Sequence, residues 1–133
     1  MATDSENVKI RGAENCGNSP KNELLRDLTI AFVKNDRDFF MDWMSDDLVW
    51  EIVGEKKFEG KDAFEDALIM KMKDKITELT LENVITHGKT GAVNGTVKLE
   101  NNKQFAFCDV YTFKSHSKNS KIQSITSYII QIS

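Results

Sequence analysis

The first apolar pattern along the chain repeats at the spacing of an α-helix. Ser19 followed by Pro20 is typical of a helix start, because the serine hydroxyl can accept a backbone N–H and proline lacks a donor that would have no partner there. Together with the residues that follow, they predict a first helix that ends at about Lys34 and buries one face. The apolar residues on that face are Leu24, Leu25, Leu28, Ala31 and Phe32.

A second, shorter helix is predicted where the first pattern breaks. Asn35 and Asp36 interrupt the apolar spacing, and their side chains can accept the free N–H groups at a helix start. Two amphipathic helices in succession need a shared surface to cover. The apolar side of the second helix comprises Phe39, Phe40, Trp43 and Met44.

Polar and apolar residues alternate after the second helix, which is the period of a half-buried strand. Leu48, Trp50 and Ile52 have one parity, and Gly54 ends the pattern. We expect Leu48, Trp50 and Ile52 to face inward. Glu51 has the opposite parity, so we expect it to be exposed or to lie at a dimer contact.

A third helix and four further strands complete the pattern. A short extended piece at Phe58 and a break at Gly60 precede the helix. The inner side of this helix carries Phe64, Ala67, Leu68 and Met72. Beyond Lys75, stretches rich in Thr, Val, Ile, Phe or Tyr predict strands. These strands are expected at residues 76–86, 91–99, 104–114 and 121–132.

The order of the predicted elements is α-α-β-β-α-β-β-β-β. Short polar turns between the last strands indicate antiparallel hairpins, and helices gathered before a run of strands indicate an α+β fold. We therefore expect three N-terminal helical segments packed on a curved antiparallel sheet. A strongly twisted sheet with helices on its concave side leaves a small pocket, which is where small-molecule sites tend to form.

The domain is expected to span residues 19–133. Residues 1–18 contain only isolated apolar side chains, so we expect them to form a disordered N-terminal arm. The length of 133 residues fits one packed core. Two cysteines without an export signal argue against a disulfide framework. Cys16 lies in the arm, and Cys108 is interpreted as a structural thiol in a strand, since no basic residue beside it lowers its pKa.

Charge and hydropathy exclude several classes of partner. The net charge is −3, with 18 basic and 21 acidic residues and no basic stripe interleaved with aromatic residues, which argues against nucleic acid. The longest apolar runs are far too short to span a bilayer, and the N-terminus lacks the apolar core of a signal peptide. We therefore expect a cytoplasmic protein with no membrane partner.

Three stretches of the chain, with the element order, resemble the nuclear transport factor 2-like superfamily. The stretches are Ser45-Asp46-Asp47-Leu48-Val49-Trp50-Glu51, then Phe58-Glu59-Gly60-Lys61-Asp62-Ala63-Phe64, then Cys108-Asp109-Val110-Tyr111-Thr112-Phe113 with Lys121-Ile122 after the turn. The likeness covers about residues 20–132 and points to the polyketide cyclase (SnoaL)-like and ketosteroid isomerase-like branch. The resemblance implies a cone-shaped half-barrel with a ligand cavity, often in a dimer joined through the outer sheet face. This superfamily contains enzymes of several reaction types and non-catalytic modules, so fold alone does not give a mechanism.

Asp109 is the strongest candidate for a functional residue. It shares one strand face with Phe105, Phe107, Tyr111 and Phe113. A carboxylate among phenylalanines is unfavourable unless it is protonated, paired or open to a solvated cavity. In a ketosteroid isomerase-like layout, an acid here stays neutral and donates a hydrogen bond to the substrate; that enzyme is a known example of the effect. The alternatives are a bond from Asp109 to a backbone amide or tyrosine hydroxyl, or a solvated strand face.

The comparison with ketosteroid isomerase fails at two other positions. The catalytic base would fall on Ile52, which cannot accept a proton, and the tyrosine of the first helix would fall near Leu28. Steroid isomerisation by that mechanism is therefore disfavoured. Asp109 with Tyr111 could still provide an acid and a hydrogen bond, as in cyclase-like or dehydratase-like chemistry.

An apolar pocket around Asp109 would be lined from several elements. Aromatic side chains there could stack on a flat ligand, and core packing is the alternative for each. His87 and His116 fall in predicted turns without further ligands at metal-binding spacing, so we expect surface histidines, no metal site and no cofactor. The predicted lining residues are Phe32, Phe39, Trp43, Trp50, Ile52, Phe107 and Ser127.

Three functional hypotheses remain open on the sequence. The first is binding of a small, largely apolar molecule in the pocket. The second is an enzyme of isomerase, cyclase or hydrolase type with Asp109 as general acid. The third is a non-catalytic module in which the outer sheet face, including Thr126, Tyr128 and Ile130, forms a homodimer.

Overall fold

The computed structural model describes residues 8–15 and 19–133. From residue 19 onward, the order of helices and strands is the predicted one, α-α-β-β-α-β-β-β-β. A strand and a 3-10 turn (Ala13–Asn15) precede it. The elements are β1 (Lys9–Arg11), α1 (Pro20–Val33), α2 (Arg37–Asp42), β2 (Met44–Ile52), β3 (Lys56–Glu59), α3 (Lys61–Lys71), β4 (Ile76–His87), β5 (Thr90–Leu99), β6 (Gln104–Phe113) and β7 (Ile122–Gln131).

The first two helices begin as local chemistry predicts. The Ser19 hydroxyl accepts a hydrogen bond from the backbone N–H of Asn22 at 3.2 Å, directly before α1. The Asp36 carboxylate accepts one from the N–H of Phe39 at 3.3 Å, which starts α2. These bonds satisfy backbone donors that have no partner inside the helix.

The sheet is curved and unclosed, and it is mixed instead of antiparallel. Its strand order is β1-β4-β5-β6-β7-β2-β3. The pairs β4–β5, β5–β6 and β6–β7 are antiparallel hairpins, as predicted. However, β2 pairs in parallel with β7, with Trp50 opposite Ile125. Local turn signals could not reveal this pairing, because a parallel pair is joined by a long connection, here most of the domain.

Part of the predicted N-terminal arm belongs to the sheet. Residues Lys9–Arg11 form β1 and pair in parallel with β4, with Ile10 opposite Leu79. Ile10 is partly buried and packs against the core. The expectation of a disordered arm is thus wrong for these residues, because the edge of β4 supplies partners that their own sequence does not show. Residues 1–7 and 16–18, including Cys16, lie outside the described residues.

The helices cover the concave face of the sheet. Helix α1 packs on β4 and β5, and α3 packs on β2 and β3. Phe64 of α3 joins the two layers: its ring lies 5.2 Å from that of Trp50 and 5.8 Å from that of Phe40, centroid to centroid. Such aromatic pairs add to the stabilisation from burial. The largest fully buried side chains are Tyr111, Phe64, Phe113, Leu25, Leu28, Met44, Leu48, Leu68, Leu79, Ile122 and Val93.

Candidate functional site

Asp109 lies on the inner, helix-covered face of the sheet, as its parity predicts. Strand register places it between Val93 of β5 and Ser127 of β7, and Ser127 is in turn opposite Ile52 of β2. Val93, Ser127 and Ile52 are 0%, 3% and 2% exposed. Asp109 itself remains partly exposed. Asp109 therefore lies beside buried, uncharged residues, while part of its own surface stays accessible.

Exposure changes along the inner face of β6. Phe113 and Tyr111, near one end of the sheet, are 1% and 2% exposed. Asp109, Phe107 and Phe105 are all partly exposed. Next to them, Ile129 of β7 lies opposite Phe107 and is 46% exposed. Side chains thus fill the inside of the cone at its Phe113 end. The exposed apolar surface at the other end, around Phe107 and Ile129, is called the mouth of the cone.

A chain of polar groups connects Trp50 to Asp109. The Trp50 indole Nε1–H donates a hydrogen bond to the Ser127 hydroxyl at 2.9 Å, and both side chains are buried. Ser127 is also a side-chain hydrogen-bond partner of Asp109. An indole N–H can only donate, so Ser127 accepts from Trp50 and keeps its own proton for an acceptor. The carboxylate of Asp109 is that acceptor.

Two opposing effects set the proton affinity of Asp109. Burial disfavours the charged carboxylate and raises the pKa from 3.8 to about 6, against a lowering by the hydrogen bond from Ser127. Burial also raises the pKa of the neighbouring Cys108 thiol, with a further rise from the charge of Asp109. Asp109 can therefore change its charge close to neutral pH, whereas Cys108 stays a protonated thiol, in line with a structural role.

Tyr111 is placed away from the mouth of the cone. It lies on the inner face opposite Ile125 and is buried beneath α1, where its hydroxyl is a hydrogen-bond partner of Thr29. Burial, and then the negative charge of Asp109, raise the pKa of Tyr111 well above its usual value. This position argues for a core side chain and against direct contact with a ligand.

The structure brings only some of the predicted lining residues to Asp109. Ser127 lies opposite Asp109, and Phe107 is its inner-face neighbour on β6. Ile52 and Trp50 are one strand further away: Ile52 lies opposite Ser127, and Trp50 donates a hydrogen bond to it. The backbone carbonyl of Trp43 instead accepts the N–H of Ile122, at the Phe113 end of the sheet. That end is four residues from Asp109 along β6, or about 13 Å.

The two remaining predicted lining residues lie on the helices. Phe32 is partly buried on α1, and its ring meets that of Phe40 edge-on at 6.5 Å between centroids. Phe39 is partly buried on α2 and packs against the core. Neither forms a described contact with Asp109. Val93 and Thr29 were not predicted as neighbours of the site. The alternation of β5 gives the parity of Val93, but only the register shows that it lies opposite Asp109.

Two surface depressions lie away from Asp109. One, of about 480 Å³, is on the outer sheet face, where it is bordered by Ile85, Ala106, Cys108, Tyr128 and Ile130, with Phe107 also contributing. The other, of about 380 Å³, lies between the start of α2 and the end of α3. Asp109 lines neither of these depressions.

His87, His116 and Glu51 are exposed, as expected. Among residues 8–15 and 19–133, no three His, Cys, Asp or Glu side chains come together in a way that could hold a metal ion. None of the helices in those ranges combines the length and apolar character needed to cross a bilayer.

Most of this chain matches the model of a known protein family. The model of the SnoaL-like domain matches residues 25–122. The chain belongs to the SnoaL-like domain family. The match includes both Trp50 and Asp109 and most of the described sheet, so the resemblance seen in the sequence is confirmed. No curated protein matches the chain.

Solved structures show the same fold at low identity. A nuclear transport factor 2-like protein of unknown function from Cytophaga hutchinsonii is 24% identical; the alignment covers 80% of this chain and 96% of that one, with a TM-score of 0.60. An epoxide hydrolase/cyclase-like enzyme with a role in pyran ring formation in salinomycin is 18% identical, with coverages of 83% and 90% and a TM-score of 0.68. A protein of unknown function from Burkholderia xenovorans is 16% identical, with coverages of 86% and 85% and a TM-score of 0.71.

Proposed function

We propose that the inner face of the sheet binds a small, largely apolar molecule, and that a polar group of this molecule contacts Asp109. The observation that carries the proposal is the position of Asp109, an acidic residue that is partly exposed as a whole, on the largely apolar inner face. A structural carboxyl group would gain stability from full pairing or from the outer, solvated face. Phe107 and Ile129 supply apolar surface at the mouth beside it.

Family membership supports the same proposal. The SnoaL-like family suggests small-molecule binding. The enzyme of salinomycin biosynthesis shares the fold and acts in ring formation, although fold similarity at this identity carries no substrate over. Binding needs only the apolar mouth and one polar contact, both of which the chain can supply.

The test is titration with the neutral naphthalene dye 6-propionyl-2-(dimethylamino)naphthalene, whose fluorescence rises in apolar surroundings. We expect saturable binding that weakens about tenfold in Phe107→Ala, because much of an aromatic contact is lost. Tyr128→Ala is the matched control: its ring is on the neighbouring strand but on the outer face. Equal losses in both variants would place the dye on the outer face, and no saturable binding would refute the proposal.

Catalysis with Asp109 as general acid is the second candidate function. A carboxyl group with a pKa of about 6 is partly protonated near neutral pH, which suits proton transfer. The position of the base in ketosteroid isomerase is taken by Ile52, which is 2% exposed. Turnover of cyclic ketones, lactones or epoxides that compete with the dye, and its loss in Asp109→Asn, would support an enzyme.

We also propose that the outer sheet face joins two copies of the chain. Ile85, Tyr128 and Ile130 on this face are 63%, 46% and 65% exposed, and clustered apolar exposure is typical of an interface. Ile130→Lys is expected to convert a dimer into monomers in sedimentation velocity, because it puts a charge into the apolar contact. Met70→Lys on α3, at a side chain of similar exposure (61%), should leave the dimer intact. A monomer in the unsubstituted protein would contradict this proposal.

A further inference from the structure

The hydrogen-bond chain at the site has a direction. It starts at the Trp50 indole, which can only donate, passes through the Ser127 hydroxyl and ends on the Asp109 carboxylate. A hydroxyl that donates to a carboxylate stabilises its ionised form. The protein thus supplies Asp109 with a donor, and a carboxylate has the capacity to accept further hydrogen bonds.

Within residues 8–15 and 19–133, no cationic side chain forms an ion pair with Asp109. Its strand neighbours Val93, Ser127 and Ile52 carry no charge. The titratable groups affected by its charge are Cys108 and Tyr111, both neutral at pH 7. The buried residues of the covering helices α1 and α3 are also uncharged: Leu24, Leu25, Leu28, Thr29, Ala31, Val33, Phe64, Ala67 and Leu68.

We infer that the ligand presents a hydrogen-bond donor to Asp109, and that its chemical class is a small apolar amine whose ammonium group pairs with the carboxylate. The inference rests on the proposed binding function and deepens it. An unpaired carboxylate in apolar surroundings is unfavourable, and a cation with three N–H donors supplies the missing charge and hydrogen bonds. Ser127 is then a positioning residue, since its hydroxyl group donates to the carboxylate that pairs with the ligand.

A ligand that accepts a hydrogen bond from Asp109, instead of donating one, leads to a different prediction. A ligand with a carbonyl or ether oxygen needs a protonated Asp109 as donor, and its affinity would fall as pH rises above 6. An amine needs the ionised form, so its affinity rises with pH until Asp109 is fully ionised. The pH dependence of binding therefore separates the two ligand classes.

The first experiment uses three naphthalene probes of nearly equal size: 1-naphthylmethylamine, 1-naphthylmethanol and 1-acetonaphthone. Binding is followed by NMR through the indole N–H resonance of Trp50, which Trp43→Phe identifies because the chain has two tryptophans. At pH 8 we expect the amine to bind at least about tenfold tighter than the ketone, as expected for a desolvated charge pair. Lowering the pH from 8 to 5 should weaken amine binding about tenfold, because Asp109 becomes protonated.

The outcomes separate this inference from the proposed function. A ketone that binds as tightly as the amine at pH 8, or more tightly below pH 6, would overturn the amine inference and leave small-molecule binding intact. Failure of all three probes to bind would contradict the proposed function itself. Amine binding that persists in Asp109→Asn would also overturn the inference, because the pairing carboxylate is then absent.

The second experiment tests Ser127 as a positioning residue. In Ser127→Ala we expect the acid dissociation constant of Asp109, measured by carboxyl ¹³C NMR, to fall about tenfold, because the donor to the ionised form is lost. Ser127→Thr keeps a hydroxyl and should restore most of the effect. Ser124→Ala, on the same strand but not opposite Asp109, is the control. An unchanged constant in a folded Ser127→Ala would contradict the role, since loss of packing alone would not shift it.

Discussion

Replacement of Asp109 by asparagine is expected to stabilise the fold, by about 2 kcal/mol at pH 7.5. Burial raises the pKa of this carboxyl group in the folded chain from 3.8 to about 6. The folded state therefore binds a proton more tightly than the unfolded state does between pH 4 and pH 6. Stability contributed by Asp109 is present below pH 4 and lost as pH rises through 6, and the full loss is about 3 kcal/mol.

Asparagine removes this pH-dependent loss and keeps the shape of the side chain. Its carbonyl oxygen can still accept from Ser127, although without the strength of a charged acceptor, so the expected gain is smaller than the full loss. The measurement is urea denaturation at pH 4, 5, 6 and 7.5. The variant should match the original chain near pH 4 and exceed it progressively up to pH 7.5.

Asp47 provides a control, because its pKa is shifted in the opposite direction to that of Asp109. It is exposed, and hydrogen bonds from Ser45 and then Lys114 lower its pKa. Its contribution to stability is present above its usual pKa and lost in acid, so Asp47→Asn should not stabilise the protein at pH 7.5. If Asp109→Asn is less stable than the original chain at pH 7.5, the carboxylate is a stabilising structural group, and its assignment to a ligand site loses its physical basis.

Gly95→Ala is expected to destabilise the protein by about 3 kcal/mol or more. A Cβ atom on Gly95 would lie 2.0 Å from the backbone carbonyl oxygen of Thr80 and 3.3 Å from the Cα of Leu81. Backbone atoms of β4 cannot rotate away as the end of a side chain can, so the β4–β5 pairing must shift. Gly95 also lies opposite Phe107, so this shift would reach the mouth of the cone.

The control for Gly95 is the same substitution at Gly54. Gly54 has a φ of +80°, and a Cβ atom there would meet nothing within 4 Å. Gly54→Ala should therefore cost only the backbone strain of a positive φ, about 1 kcal/mol. Thermal and urea unfolding of both variants give the comparison. Equal losses at the two positions would show that close approach of β4 does not determine the requirement for glycine at Gly95.

Local sequence predicted the elements of this chain because their causes are local. The hydroxyl of Ser19 and the carboxylate of Asp36 cap helices within four residues of themselves, so neither depends on the rest of the fold. Alternation placed Leu48, Trp50 and Ile52 on a buried face, and the same rule placed Asp109 on the inner face of β6. The family followed from motif order, which the match over residues 25–122 confirms.

What only the tertiary structure decided depends on contacts between distant segments. The parallel pairing of β2 with β7 brings Trp50 to Ser127, 77 residues apart, and so creates the hydrogen-bond chain to Asp109. Strand β1 forms because the edge of β4 offers it partners. Parity gave Tyr111 and Asp109 the same face, but the position of α1 buries Tyr111, whereas Asp109 stays partly exposed at the mouth. Periodicity fixes which side of a strand a residue occupies, whereas register and the packing of helices fix its neighbours and whether a ligand can reach it.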